Sequence, residues 1–209
     1  MPRPSSSRLA PRRKPRQQRS LATVDVLLAA TARVLVARGW AGTTTNHIAE
    51  RAGVSIGTLY EYFPSKEALA AAVVERHLEE AELRLAEVAA SLAGNTLTLE
   101  ALVRAIVTAM IDLHAASPRL HRVLFEEVPH GPAVRRRVRA MEDQHARALA
   151  HILPRLTKVA EPEVTARVIV ELLEALTHRW VITAEAELLP RERMQAELER
   201  LVLSYVRAS

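Results

Sequence analysis

Residues 43–69, TTTNHIAERAGVSIGTLYEYFPSKEAL, leave this chain few folds to choose from. The Thr44 hydroxyl is suited to cap the helix that follows, and Ile48, Ala49 and Ala52 give that helix one small apolar stripe. Gly53 breaks it, as a C-terminal cap residue with positive φ would. Val54 is the apolar residue of the turn, and Ser55 is a second cap. The helix opened by Ser55 presents Ile56, Thr58, Tyr60 and Tyr62, with Leu59 and Phe63 as inward anchors. Pro64 stops it, Ser65 caps again, and Lys66-Glu67 begins a long third helix. That order is a helix-turn-helix unit, the arrangement in which the second helix enters a DNA major groove.

The remainder is helical in composition. Ala, Leu, Glu and Arg dominate, and alternating β-branched runs are scarce. A chain of 209 residues with 49% hydrophobic content can bury one large or two small cores. Four of its six glycines (Gly39, Gly42, Gly53, Gly57) fall in the helix-turn-helix region, so little else needs an unusual backbone. The fold class expected is all-α. With no cysteine there are no disulfides, thiolate metal sites or cysteine nucleophile, which is compatible with the cytoplasm. No apolar run reaches the ~18 residues of a membrane span, and the N-terminus lacks the apolar core of a signal peptide.

Charge is unevenly placed. The chain carries +5, yet Arg3, Arg8, Arg12, Arg13, Lys14, Arg16 and Arg19 put +7 in the first 20 residues, so the other 189 sum to −2. With Pro2, Pro4, Pro11, Pro15 and three consecutive serines, residues 1–19 read as a disordered basic leader. Its bland readings are a solubilising leader or a mis-assigned start. The functional reading, favoured by its position before the helix-turn-helix, is an arm that follows phosphates or enters a minor groove.

Helical periodicity and breakers mark nine helices. The first spans Leu21–Arg38, with Val24, Leu27, Leu28, Thr31, Val34 and Leu35 on one face and Trp40 plugging a small three-helix core. Thr45–Ala52, Ile56–Phe63 and Lys66–Leu92 follow, the last stopped by Gly94-Asn95 and long enough to enter a second domain. Then come Leu97–Ala116, Arg119–Glu127, Ala133–Leu156 (kinked or ended by Pro154), a helix opened by Glu161-Pro162 that reaches Leu188, and Pro190–Arg207. The domains expected are the leader, a DNA-binding head over 20–66, and a ligand-binding and dimerisation domain over 67–209.

The pattern A-G-V-S-x-G-T-L-Y-x-Y-F-x-S-K-E-x-L, here Ala52 to Leu69, resembles the signature of the tetracycline-repressor (TetR) family of bacterial transcriptional regulators. The likeness runs back through Gly39-Trp40 and Leu27-Leu28-Ala29-Ala30, covering about residues 20–69. The rest of the chain carries no such signature.

Several head residues can be read by their chemistry. Gly57 has no side chain, so backbone can approach DNA closely. Ile56 can offer only an apolar contact, best met by a thymine methyl, while Thr58 can bond a phosphate or base edge. Ser55 can cap and touch DNA together. The family resemblance implies that Tyr60, Tyr62 and Lys66 bind phosphates, and that Thr44, Thr45 and Asn46 grip the backbone from the start of the second helix. The helix over Ile56–Phe63 holds no arginine, so specificity leans on Ile56, Thr58, Asn46, the leader and DNA shape.

In the second domain, Met110, His114, Phe125, Met141, His145, Glu174 and His178 interrupt apolar faces with polar groups and are candidates to line a small-molecule cavity. Each taken singly reads more readily as ordinary core or solvated surface. Glu142-Asp143-Gln144-His145 has the E-x-x-H spacing of a metal motif, but a bundle di-metal site needs two such motifs and two more glutamates. His114 and His121 straddle Pro118. No metal or cofactor is therefore expected, and with no H-E-x-x-H, phosphate-binding glycine loop or G-x-S-x-G, neither is catalysis.

The family resemblance implies a cytoplasmic homodimer that binds double-stranded operator DNA and responds to a small-molecule effector, most simply as a repressor. Helices eight and nine would form the dimer face, with Val168, Leu172, Leu176, Trp180, Leu198, Leu201, Val202 and Tyr205 supplying apolar stripes. The competing readings are a helical-bundle enzyme or small-molecule carrier without a DNA role, and a non-specific nucleic-acid compactor driven by the leader.

Overall fold

A computed structural model of the chain describes residues 18–92, 97–183 and 189–209. Among these the regular elements are all helical: α1 (Gln18–Arg38), α2 (Thr45–Ala52), α3 (Ile56–Tyr62), α4 (Lys66–Leu92), α5 (Leu99–Ala115), α6 (Pro118–Arg122), α7 (Pro132–Ile152), α8 (Pro162–Thr177) and α9 (Arg191–Ala208). Three of them change pitch at their ends. The chain widens to a π turn over Val123–Glu127 after α6 and over His178–Thr183 after α8, while α7 tightens to a 3₁₀ turn at Leu153–Arg155. The helix expected to reach Leu188 is thus α-helical only to Thr177, and its last five residues lie outside those described, as do the basic leader through residue 17 and the Gly94-Asn95 stop.

The chain divides into two compact units, and neither is the interval expected. The head comprises residues up to His77 together with Arg122–Val134; the second unit comprises Leu78–His121 and Arg135–Ser209. The boundary moves past residue 66 because Leu69, Ala70, Val73 and Val74 on the opening turns of α4 are buried with the head. The 122–134 segment returns to it through Glu127, whose Oε2 accepts the Trp40 N–H at 2.9 Å.

Within the head, Leu27, Leu28, Thr31, Val34 and Leu35 of α1 are buried, as their spacing predicts. By length and apolar composition Ser20–Arg38 would also suffice to cross a bilayer, contrary to the expectation from the sequence, but a third of that stretch is buried here and forms the head's core face. Trp40 does not plug that core. It is half-buried, and the Lys66 ammonium sits 4.0 Å from the centre of its ring. Gly39 turns the chain at φ +65°, and a Cβ there would stand 2.8 Å from the Glu127 carboxylate.

The second unit is built on one apolar cluster drawn from α5, the end of α7, α8 and α9, with Val107, Ile111, Leu153, Ile169, Leu173 and Leu198 at its centre. Leu198 and Val202 correct an expectation. At 0% and 2% exposure they face this cluster inside the protomer, so they cannot lie across a dimer axis. Leu172, Leu176, Trp180 and Tyr205 are half-buried and pack against the same cluster. Among the described residues of this unit, the large apolar side chains left exposed are Leu83, Val164, Val168 and Leu201.

Candidate nucleic-acid interface and ligand site

In the head, α2 and α3 are set by their caps. The Thr44 Oγ1 accepts the His47 N–H at 3.2 Å, and the Ser55 Oγ accepts the Thr58 N–H at 3.0 Å. Gly53 takes the left-handed conformation (φ 68°, ψ 29°) and its N–H bonds back to Ala49 and Glu50 carbonyls, which ends α2 and turns the chain into α3. Leu59 and Phe63 are buried, and this fixes which side of α3 faces out. That side carries Ser55, Ile56, Gly57, Tyr60 and Glu61, with Ile56 39% and Tyr60 47% exposed. Gly57 needs no left-handed backbone here. A Cβ at this position would meet only the Ser55 Oγ, at 3.7 Å.

Thr44, Thr45, Tyr60 and Lys66 line one shallow hollow with Thr43, Pro64 and Ser65. The Thr45 and Tyr60 hydroxyls are hydrogen-bonded at 3.0 Å across it. Asn46 is exposed on the first turn of α2. Tyr62 turns aside, its phenol oxygen accepting the Ser20 hydroxyl of α1 at 3.3 Å. Lys66 is more engaged than a bare phosphate ligand would be. Its Nζ donates to the Trp40 and Thr43 carbonyls, each at 3.2 Å, using two of its three N–H groups. It anchors the α1–α2 loop to the start of α4.

The ligand candidates of the second domain do not all meet. Phe125 belongs to the head, its ring tilted against His77 at 6.0 Å and His130 at 5.7 Å. His114 and Glu174 do meet, at 3.3 Å between Nε2 and Oε1. His178 lies one turn beyond Glu174 on the α8 face, 6.3 Å ring to ring from His114. His121, set apart in sequence by Pro118, packs its ring 4.7 Å from that of His114 and 5.4 Å from that of His178. Pro118 opens α6, and His121 on that helix meets His114 at the end of α5 across the short break between the two helices. The other signal in the sequence is E-x-x-x-H at Glu174–His178, a same-face spacing. The E-x-x-H of Glu142 and His145 is not part of this cluster.

Electrostatics bind the group together. Burial pushes the His114 imidazole down, but its hydrogen bond to Glu174, that carboxylate's charge and the Met110 carbonyl outweigh burial and hold its pKa above the ordinary value. Burial works against the Glu174 carboxylate too, yet His114, His178 and His145 keep its pKa below the ordinary value. Nearby, burial and then the charge of Glu174 raise Glu142, and burial lowers His145. Met110 serves through its backbone, its carbonyl accepting His114 Nδ1–H at 2.9 Å, and half-buried Met141 lies on α7 one turn before His145.

The arrangement matches known proteins at both ends. Residues 27–73 match the model of bacterial regulatory proteins of the tetR family, and residues 98–205 match that of the tetracyclin repressor-like C-terminal domain. The HTH-type transcriptional activator FasR of Mycolicibacterium smegmatis is 32% identical over 124 residues, covering 59% of this chain and 53% of that protein. The HTH-type transcriptional repressor KstR2 of Rhodococcus jostii is 34% identical over 90 residues, covering 43% and 44%. The chain thus spans about half the length of the curated relatives it matches. The crystal structure of a TetR-like transcriptional regulator from Rhodococcus sp. RHA1 superposes with a TM-score of 0.66 at 26% identity, covering 91% of this chain and 97% of that one. The C-terminal model alone takes in more than half of the residues, and the helix-turn-helix stands within the N-terminal match: the chain belongs to the TetR family of bacterial regulatory proteins.

Proposed function

We propose that this chain is a homodimeric, sequence-specific DNA-binding transcriptional regulator, a repressor released from its operator when a small molecule binds the second domain. The observation that carries the reading is the outward face of α3. Ile56, Gly57 and Tyr60 are exposed there, and nothing among the described residues requires glycine at 57. The hollow at the start of α2 supplies the phosphate grip, through Thr44, Thr45, Tyr60 and the remaining N–H of Lys66. Asn46, Ser55, Thr58 and Tyr62 complete the contact set, Tyr62 by releasing its bond to Ser20.

One head presents too few base contacts for tight binding. Two heads about 34–36 Å apart would meet successive major grooves and bind at high effective concentration. The second head comes from a partner docked on the outward side of α8 and α9. Val164, Val168 and half-buried Leu172 recur every four residues along α8, and Leu201 is exposed on α9. An effector acts by preferring the state in which the heads are wrongly spaced. Its site is built around Met110, His114, Met141, His145, Glu174 and His178, where polar groups gather beside the apolar cluster. Such a regulator works in the cytoplasm, with the chromosome.

The test is selection of binding sites from a random DNA duplex library, followed by gel shift against competitor DNA. The expected result is enrichment of an inverted repeat bound with two chains per site. Binding with no sequence preference would favour a compactor, and no binding would favour a bundle without a DNA role.

A further inference from the structure

We propose that His114, His121, Glu174 and His178 form a four-ligand site for a divalent first-row transition metal, best matched by Zn²⁺. One ligand atom from each residue can be chosen so that all four lie within 4.8 Å of one another. A tetrahedral zinc site with metal–nitrogen bonds of 2.0–2.1 Å has ligand–ligand edges of about 3.4 Å. The His114 Nε2 to Glu174 Oε1 separation is already 3.3 Å, and rotamer adjustments within the remaining span close the other edges.

The site is also oriented in the way metal sites are. Met110 O accepts Nδ1–H of His114, which fixes the ring and directs Nε2 into the cluster, the outer-shell support usual for a ligating histidine. His114 is fully buried at the end of α5, and His121 is buried at the end of α6. Glu174 and His178 sit one turn apart on α8, and His178 opens the π turn, a local widening common at functional sites.

The donor set selects the ion. Three imidazoles and one carboxylate suit Zn²⁺ and its neighbours, whereas Ca²⁺ and Mg²⁺ take oxygen shells. A chain without cysteine offers none of the thiolates favoured by Cu⁺. Four protein ligands close a tetrahedron, so the ion would hold α5, α6 and α8 together and activate no water. Metal binding stands apart from the DNA reading. The ion would, however, engage His114, Glu174 and His178 of the effector site proposed above, leaving Met110, Met141 and His145 to line what remains of it.

The test uses the full chain, stripped with a chelator and titrated with Co²⁺ and then Zn²⁺ in the absence of DNA. The expected result is one Co²⁺ per chain with the intense visible absorption of four-coordinate geometry, bleached by one equivalent of Zn²⁺, and a Zn²⁺-dependent rise in Tm. His178→Gln and Glu174→Gln remove half-buried ligands and should each weaken Zn²⁺ binding about 100-fold or more, at the upper end of losses seen for supporting residues. His151→Gln, on the exposed side of α7, should bind as the parent does. Weak six-coordinate Co²⁺ absorption in the parent would overturn the proposal. So would parent-like Zn²⁺ affinity in both variants. If a variant misfolds, the parent's Co²⁺ spectrum and stoichiometry decide the question. An operator-binding protein with no metal site and a metal-binding protein with no operator are distinguishable outcomes.

Discussion

Replacing Gly57 by alanine should make the protein more stable and a worse DNA binder. The residue lies second in α3 with ordinary helical backbone, and a Cβ there meets nothing closer than the Ser55 Oγ at 3.7 Å. Alanine loses less backbone entropy than glycine in a helix, which stabilises by about 0.5–1 kcal/mol. For a protein of this size that raises Tm by about 1–4 °C. The same methyl group points outward, where, in the DNA complex proposed above, the major groove would come within van der Waals distance of the α3 backbone. Weakening each head's grip by about 1 kcal/mol, at the low end for a base contact, costs a dimer about 2 kcal/mol, or roughly thirtyfold in affinity. Thermal melts and fluorescence anisotropy on a selected operator measure both. A raised Tm with unchanged affinity would show that the α3 N-terminus does not approach DNA. A lowered Tm would show that glycine is there for the protein's own packing.

Other perturbations separate the roles of neighbouring groups. Lys66→Ala should weaken binding to all DNA sequences alike, since phosphate contacts position without specifying. It should also lower Tm, because the Trp40 and Thr43 carbonyls each lose the bond from the ammonium; an effect confined to one operator would contradict the phosphate role. Deleting residues 1–17 should leave the melt unchanged and flatten the salt dependence, by at most about 0.9 for each phosphate no longer neutralised; an unchanged slope would mark the leader as inert. Val168→Arg should give helical monomers by equilibrium sedimentation, whereas Val202→Arg, which puts a charge into the protomer core, should abolish the cooperative melt. Glu82 is paired bidentately with Arg137 at 2.8 and 2.6 Å, and that hydrogen bond lowers its pKa against burial. A depressed carboxylate stabilises above its unfolded pKa and stops doing so as pH falls through its folded one. Glu82→Gln should therefore cost under about 1 kcal/mol at pH 7, a cost that shrinks in chemical denaturation as the pH falls below the ordinary carboxylate range.

The parts of this fold legible in the sequence are those set by local chemistry. Thr44, Gly53 and Ser55 each fix a helix end within a single turn of themselves, so α2, the turn and α3 fall where those residues place them. Leu198 and Val202 escape a sequence reading because periodicity reveals an apolar face without saying which surface covers it. Lys66 reads as a surface cation until its distant acceptors, the carbonyls of Trp40 and Thr43, are in place. His121 escapes a linear argument: Pro118 separates it from His114 in sequence, yet across the break between α5 and α6 the two rings meet. Phe125 falls in the head rather than the second unit because residues 122–134 return there, and nothing local says so.

That return has a consequence in time. Trp40 and its acceptor Glu127 are 87 residues apart in the chain. At a ribosomal rate of about 5–20 residues per second, α3 leaves the exit tunnel several seconds before the carboxylate that satisfies the Trp40 amide. During that interval the head is a partly finished object, its α2 and α3 synthesised and the 122–134 strap still to come. The same discontinuity governs grafting. A head cut within α4 and fused to another regulator's body would leave Gly39-Trp40 facing a stranger's side chain at the position of Glu127, so heads should transplant between relatives only when the 122–134 strap travels with them.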